Sequence, residues 1–130
     1  MKKIALEGPI NKCTDAQAKN WRELVKKELA GLYTFHDPMD FDCRGKEAEL
    51  RDALVRFDEV GMASSDIALM NAETPGWGTA IALQFMYAMH RPVYAVYSLD
   101  KPSPWLVSRT TRIFRSWDEA IQFLKDNATP

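Results

Sequence analysis

Apolar positions along this chain fall into two rhythms that alternate: short unbroken runs, and longer stretches with helical spacing. Ile4-Ala5-Leu6 is a run stopped by Gly8-Pro9, which predicts a strand from Lys3 to Leu6 and then a turn. Asp15 is placed to cap a helix carrying Trp21, Leu24, Val25, Leu29 and Leu32, with Gly31 near its end. Tyr33 to Phe35 predicts a second strand, cut off by Asp37-Pro38, and Met39 to Gly45 reads as a loop. Ala48, Leu50, Ala53, Leu54, Phe57 and Val60 form the stripe of a second helix that closes near Gly61. Asp66 to Met70 is a buried-type strand, and Asn71 to Gly78 a loop. Thr79 is the expected cap of a third helix, apolar on nearly every face (Ile81, Leu83, Phe85, Met86, Met89) and therefore central. Val93 to Tyr97 is the next strand, followed by a loop from Ser98 to Trp105 and a short strand from Arg112 to Phe114. Ser116 caps the last helix, along which Trp117, Ala120, Ile121, Phe123 and Leu124 recur, and the tail from Asn127 to Pro130 is expected to fray.

This order predicts an α/β fold: a Rossmann-like, doubly wound parallel sheet of about five strands with helices on both faces. With 130 residues and neither repeats nor low-complexity tracts, the expectation is a single domain over 1–130. Ligands of such sheets bind in the crevice beyond the carboxyl ends of the strands. The segments Glu7 to Ile10, Asp37 to Gly45 and Asn71 to Thr79 converge there, with Asp58 arriving from the neighbouring helix. That locates a site without naming a reaction.

Composition narrows the partners. Apolar residues make up 46%, charged residues 27%, and the net charge is −1, so neither nucleic acid nor an anionic membrane is an expected partner. No apolar stretch approaches the ~20 residues of a membrane span, the first strand is too short for a signal peptide, and a cytoplasmic location is expected. Cys13 and Cys43 stand apart, which predicts reduced thiols and no cysteine zinc site. His36 and His90 lack the spacing of metal ligands, leaving surface or strand-end roles. No metal or redox cofactor is implied.

Several residues carry a functional and a structural reading side by side. Asp58 is either a solvated helix residue or a functional carboxylate of the crevice. Asp66 itself suits a structural role, capping the strand entrance. Arg44 either binds a phosphate or pairs with Asp40 or Asp42. Trp77, between two glycines, either stacks on a base or plugs the cleft. Phe85, Met86 and Met89 read as core or subunit interface, and Arg109, Arg112 and Arg115 as exposed positions rather than a nucleic-acid strip.

Four segments in order resemble the nucleoside 2-deoxyribosyltransferase family, including the related nucleoside 5′-monophosphate N-glycosidases. They are Ile4-Ala5-Leu6-Glu7-Gly8-Pro9-Ile10; Asp37-Pro38-Met39-Asp40 with Arg44-Gly45; Asp58 with Ser65-Asp66-Ile67-Ala68; and Gly76-Trp77-Gly78-Thr79-Ala80-Ile81-Ala82-Leu83, running on to Arg91-Pro92-Val93. Ser103-Pro104-Trp105-Leu106 and the start of the last helix also match. The resemblance implies cleavage of an N-glycosidic bond, or base exchange, through a covalent glycosyl-carboxylate intermediate, with no cofactor. It implies Asp58 as the acid serving the base, and Gly8, Pro9 and Ile10 as the loop against the sugar or its 5′ end. Gly78 and Thr79 would lie at a helix N-terminus suited to an anion. Asp40, Arg44 and Trp77 join the substrate-binding set. Ser103 aligns with a polar residue that in the family reaches a neighbouring subunit's site, which implies at least a homodimer. The substrate would be a nucleoside or nucleoside 5′-monophosphate.

The chain departs from the family at the catalytic glutamate, whose position is occupied by Ala82, and at a tyrosine replaced by Ala5. Three accounts of Ala82 stand open. It is a substitution made to trap substrate; or a natural loss of catalysis that leaves a nucleotide-binding sensor or sequestering module; or a sign that the carboxylate has moved to Glu7, where a small residue is expected.

Overall fold

The computed structural model describes residues 1–129. Its five strands are β1 (Lys3–Glu7), β2 (Thr34–His36), β3 (Ile67–Asn71), β4 (Val93–Val96) and β5 (Arg112–Phe114). They form one sheet in the order β2-β1-β3-β4-β5, parallel at every pairing. The helices are α1 (Asp15–Glu28), α2 (Glu47–Ala63), α3 (Trp77–Ala88), α4 (Pro104–Arg109) and α5 (Trp117–Asp126), with a 3-10 turn at Pro38–Phe41. The predicted α/β class and doubly wound parallel sheet are what the chain adopts.

Strand alternation divides the core into two layers. Ile4 and Leu6 of β1 pack with Trp21, Val25 and Leu29 of α1 and with Ala120, Ile121 and Leu124 of α5. Ala5 faces the opposite way, into a cluster with Met62 of α2 and Ala82, Leu83 and Met86 of α3. Glu7, two residues beyond Ala5, therefore projects to the α2–α3 side. The chain leaves β1 towards one face and β3 towards the other, so a crevice opens between their carboxyl ends.

Several local expectations are corrected. Thr14, not Asp15, caps α1: its hydroxyl accepts from Gln17 N at 3.1 Å while its own amide donates to Gln17 Oε1 at 2.9 Å. Helix α3 begins at Trp77 with Gly76 as its cap, so Thr79 lies inside the first turn, buried. The loop after β2 contains the 3-10 turn, entered through Asp37, whose carboxylate accepts from Met39 N. The loop from Ser98 ends in α4, nucleated by Ser103 as cap and Pro104 in its first turn. Ile81 is 61% exposed, so the apolar helix α3 is not covered on every side. The chain end is not wholly frayed: Asn127 Nδ2 donates to Phe123 O and Ala128 packs on the core, while Pro130 lies outside the described residues. Asp66 has its structural role, accepting from Lys3 N at 2.8 Å. Among the described residues no helix is long and apolar enough to cross a membrane.

Candidate functional site

The crevice beyond β1 and β3 is a cleft of about 400 Å³, the size of a small-molecule site. Its wall on the β1 side is the turn Gly8-Pro9-Ile10, held from beneath by a buried arginine. Arg22 of α1 is fully buried and donates to the carbonyls of Ala18 (2.5 Å), Gly8 (3.1 Å) and Leu6 (3.4 Å). Its guanidinium also lies 4.5 Å from the Trp21 ring centre and 3.4 Å from Asp37. Burial lowers the Arg22 pKa, opposed mainly by the negative charge of Asp37. Gly8 is required by the close approach: a Cβ there would stand 2.8 Å from the Trp21 ring and 3.0 Å from Asn71 Cβ.

Glu7 and Asp58 meet at the floor, and His36 backs them from the side of a separate groove between β2 and α2. Glu7 ends β1 at 3% exposure, and its Oε1 has no hydrogen-bond partner. His36 ends β2, also buried, with Nε2 2.8 Å from Asp58 Oδ1 of α2 and 3.8 Å from Glu7 Oε1. The contact with Asp58 is a hydrogen bond when Nε2 carries the proton, and Nε2 is free as a ligand atom when Nδ1 carries it. The imidazole fits because α2 has glycine beneath it: a Cβ on Gly61 would fall 2.1 Å from the ring. Phe57 closes the side, its ring centre 5.4 Å from that of His36. Burial pushes the Glu7 carboxyl well above the usual carboxylate range, and the neighbouring charge of Asp58 pushes it further, against the pull of Arg22. Both effects favour the protonated form of Glu7 over the ionised one. Asp58, with 23% of its side chain exposed, is the more open of the two carboxyls that line the cleft. The donor atoms of Glu7, His36 and Asp58 lie within 4.8 Å of one another, close enough to share a metal ion, and among the described residues no other such group of three is found.

Of the residues singled out in the sequence, the cleft brings together Glu7, Gly8, Pro9, Ile10, Arg44, Asp58, Trp77, Gly78 and Thr79. Arg44 is held by Asp42 at 2.8 Å and Asp15 at 2.6 Å, and those bonds raise its pKa further above its already high value. Of the two aspartates the sequence offered it, Arg44 pairs with Asp42 and not Asp40. Trp77 stands on the rim at 89% exposure and does not plug the cleft. Three residues lie elsewhere. Asp40 lines a separate groove between β2 and α2, beside Phe35, Phe57 and Val60. Ser103 caps α4, its Oγ accepting from Trp105 N at 3.2 Å, away from its own chain's cleft. Ala82, 1% exposed, faces into the apolar cluster of Ala5, Ala68 and Met70.

Sequence reasoning gave His36 only a strand-end or surface role and passed over Arg22. The strand end is right, but the histidine is buried against two carboxylates.

Neither a protein-family model nor a curated protein matches the sequence. Among solved structures, the chain is similar to the 2-deoxyribosyltransferase of Bacillus psychrosaccharolyticus, with 19% identity over 92% of this chain and 90% of that one, and a TM-score of 0.72. A conserved protein of Enterococcus faecalis follows at 16% identity, 97% and 98% coverage and 0.68. The CMP N-glycosidase of Clostridium botulinum follows at 16%, 95% and 99%, and 0.63. At these identities the likeness is one of fold, and it runs the length of the chain.

Proposed function

We propose that the cleft binds a nucleoside or nucleoside 5′-monophosphate and breaks its N-glycosidic bond, by hydrolysis or base exchange, with Glu7 and Asp58 as the working carboxyl pair. The observation that carries this is the buried Glu7 carboxyl set beside Asp58 on the cleft floor, on a fold shared with a deoxyribosyltransferase and a CMP N-glycosidase. A departing base needs a proton, and the sugar cation left behind needs a negative charge. The pair supplies both. As the C1′–N bond breaks, the proton passes from the pair to the base through Asp58, the member nearer the cleft opening. The charge left on Glu7 faces C1′ and captures it as a glycosyl ester, and water or a second base then releases the sugar. Glu7 so replaces the glutamate that position 82 lacks. Trp77 is placed to stack on the base, and the amides of Gly78 and Thr79 to receive a 5′ anion. Ser103 reaches a cleft only across a subunit boundary, which makes the working form at least a dimer. Asp40 takes no part.

A second reading, a nucleotide-binding module without catalysis, is favoured by one observation: Ala82 is sealed in apolar core. One experiment separates the two. The parent chain and its Glu7→Gln, Asp58→Asn and Ala82→Glu variants are incubated with deoxynucleosides and their monophosphates in EDTA, and free base is followed by chromatography. The parent is expected to release base, and Glu7→Gln and Asp58→Asn to lose about 10²-fold or more. A parent that binds nucleotide without releasing base establishes the module. Release by Ala82→Glu alone returns the chemistry to position 82 and removes Glu7 from it.

A further inference from the structure

We infer that Glu7, His36 and Asp58 form a binding site for a divalent transition-metal cation of the zinc or manganese class. The ligands come from three elements, β1, β2 and α2, and converge without help from any loop. His36 Nε2 stands 2.8 Å from Asp58 Oδ1 and 3.8 Å from Glu7 Oε1. A cation bound at 2.0–2.2 Å by one imidazole and two carboxylates sets its ligand atoms about 3.3 Å apart. The two separations from His36 bracket that value, the Glu7 and Asp58 oxygens lie within 4.8 Å of each other, and Asp58, the partly exposed member, has room to adjust.

Three further features point to a ligand rather than to a packing accident. Glu7 Oε1 is buried and has no partner, although a buried carboxylate oxygen demands one. The imidazole is admitted by the missing side chain of Gly61 and flanked by Phe57, so its position is set by the fold. Glu7 and Asp58 both line the cleft, which leaves an open coordination position on the side where a small molecule enters. Two carboxylates and a neutral imidazole balance a divalent charge. One nitrogen with two oxygens suits zinc or manganese; magnesium and calcium favour all-oxygen sets, and Cu(I) favours thiolates.

Occupancy has a consequence that rests on the function proposed above, whereas the binding itself does not. A carboxyl group that holds a cation cannot also pass a proton to a base. The cation is therefore an off-switch: base release proceeds in EDTA and stops when the site fills.

The test begins with EDTA-treated, dialysed protein titrated with Zn²⁺ by calorimetry, and with Co²⁺ by visible absorption. One equivalent is expected to bind, with new Co²⁺ bands. Glu7→Gln and Asp58→Asn, each checked for folding by circular dichroism, are expected to weaken binding at least tenfold, and His36→Gln to alter or abolish the bands. No saturable binding, or binding unchanged in both carboxyl variants (as at His90 or the amino terminus), overturns the site. Base release in EDTA, measured in parallel, keeps the two ideas separable. Release without zinc binding removes the cation site alone, and zinc binding without release removes the catalytic reading alone.

Discussion

Gly61 and His36 are fitted to one another across the gap between α2 and β2: a methyl group on Gly61 would lie 2.1 Å from the imidazole, whose far edge meets Asp58 at 2.8 Å. Helix α2 therefore positions both the acid and the space for the histidine that holds it. Gly61→Ala is expected to drive the ring out of place, at the cost of an overpacked core, about 1–3 kcal/mol. Urea unfolding measures the loss. A variant with parental stability and an unmoved His36 ring resonance would show that α2 gives way at Gly61 and that the ring does not depend on the glycine.

Glu7 makes stability depend on pH in a definite direction. Its folded pKa is raised, first by burial and then by Asp58, so the folded state favours the protonated carboxyl. The penalty for ionising it is absent below the unfolded value of about 4.3 and grows as pH rises above it. Glu7→Gln keeps the shape and removes the ionisation. In EDTA it is expected to be more stable than the parent near neutral pH, with the gain shrinking to nothing near pH 4. Denaturation midpoints at several pH values give the comparison, and a gain that is constant with pH would place its origin outside Glu7 ionisation.

The parallel sheet was legible because short apolar runs alternate with helical segments, although the stripe read on α2 is not a core face: Phe57 and Val60 are exposed, and the helix buries Gly61 and Met62 instead. Helix α4 was not legible, since its six residues give too few positions to display a period. Capping at Thr14 was missed because Asp15, a stronger cap by type, stands beside it; the reciprocal bond with Gln17 decides. Arg22 did leave a signal: with Ala18, Trp21 and Val25 it lies on the buried face of α1, a charge on an apolar stripe. His36 left none. Its placement depends on register, which pairs Ala5 with His36 and so turns the imidazole to the face that Glu7 also uses. Register comes from the packing of the whole sheet and is not written in either strand.

The buried Arg22 fixes the wall of the cleft rather than its chemistry. Three backbone carbonyls, one in β1, one on the turn that follows it and one in α1, depend on one planar guanidinium. Lysine keeps the charge but not the fork. Arg22→Lys is expected to lose about 3 kcal/mol, in the range for a broken buried charged network, and to weaken nucleotide binding through the loosened Gly8-Pro9 turn. Chemical denaturation and a nucleotide titration read the two effects separately. Unchanged stability would mean that the carbonyls find other donors.

Position 82 gives the sharpest contrast between resemblance and packing. Ala82 is 1% exposed and touches the cluster formed by Ala5, Ala68 and Met70, so a glutamate there must either enter apolar core or reach past it to the cleft. Entering the core penalises the ionised carboxylate, so Ala82→Glu is expected to be destabilised at neutral pH by about 2 kcal/mol or more. Because such a carboxyl has a raised folded pKa, the destabilisation is smallest near pH 4 and increases as pH rises. Unfolding curves at pH 4.5 and 7.5 measure the difference. A variant equally stable at both values would show that the new side chain reaches the cleft without entering the core, the arrangement a catalytic glutamate at this position needs.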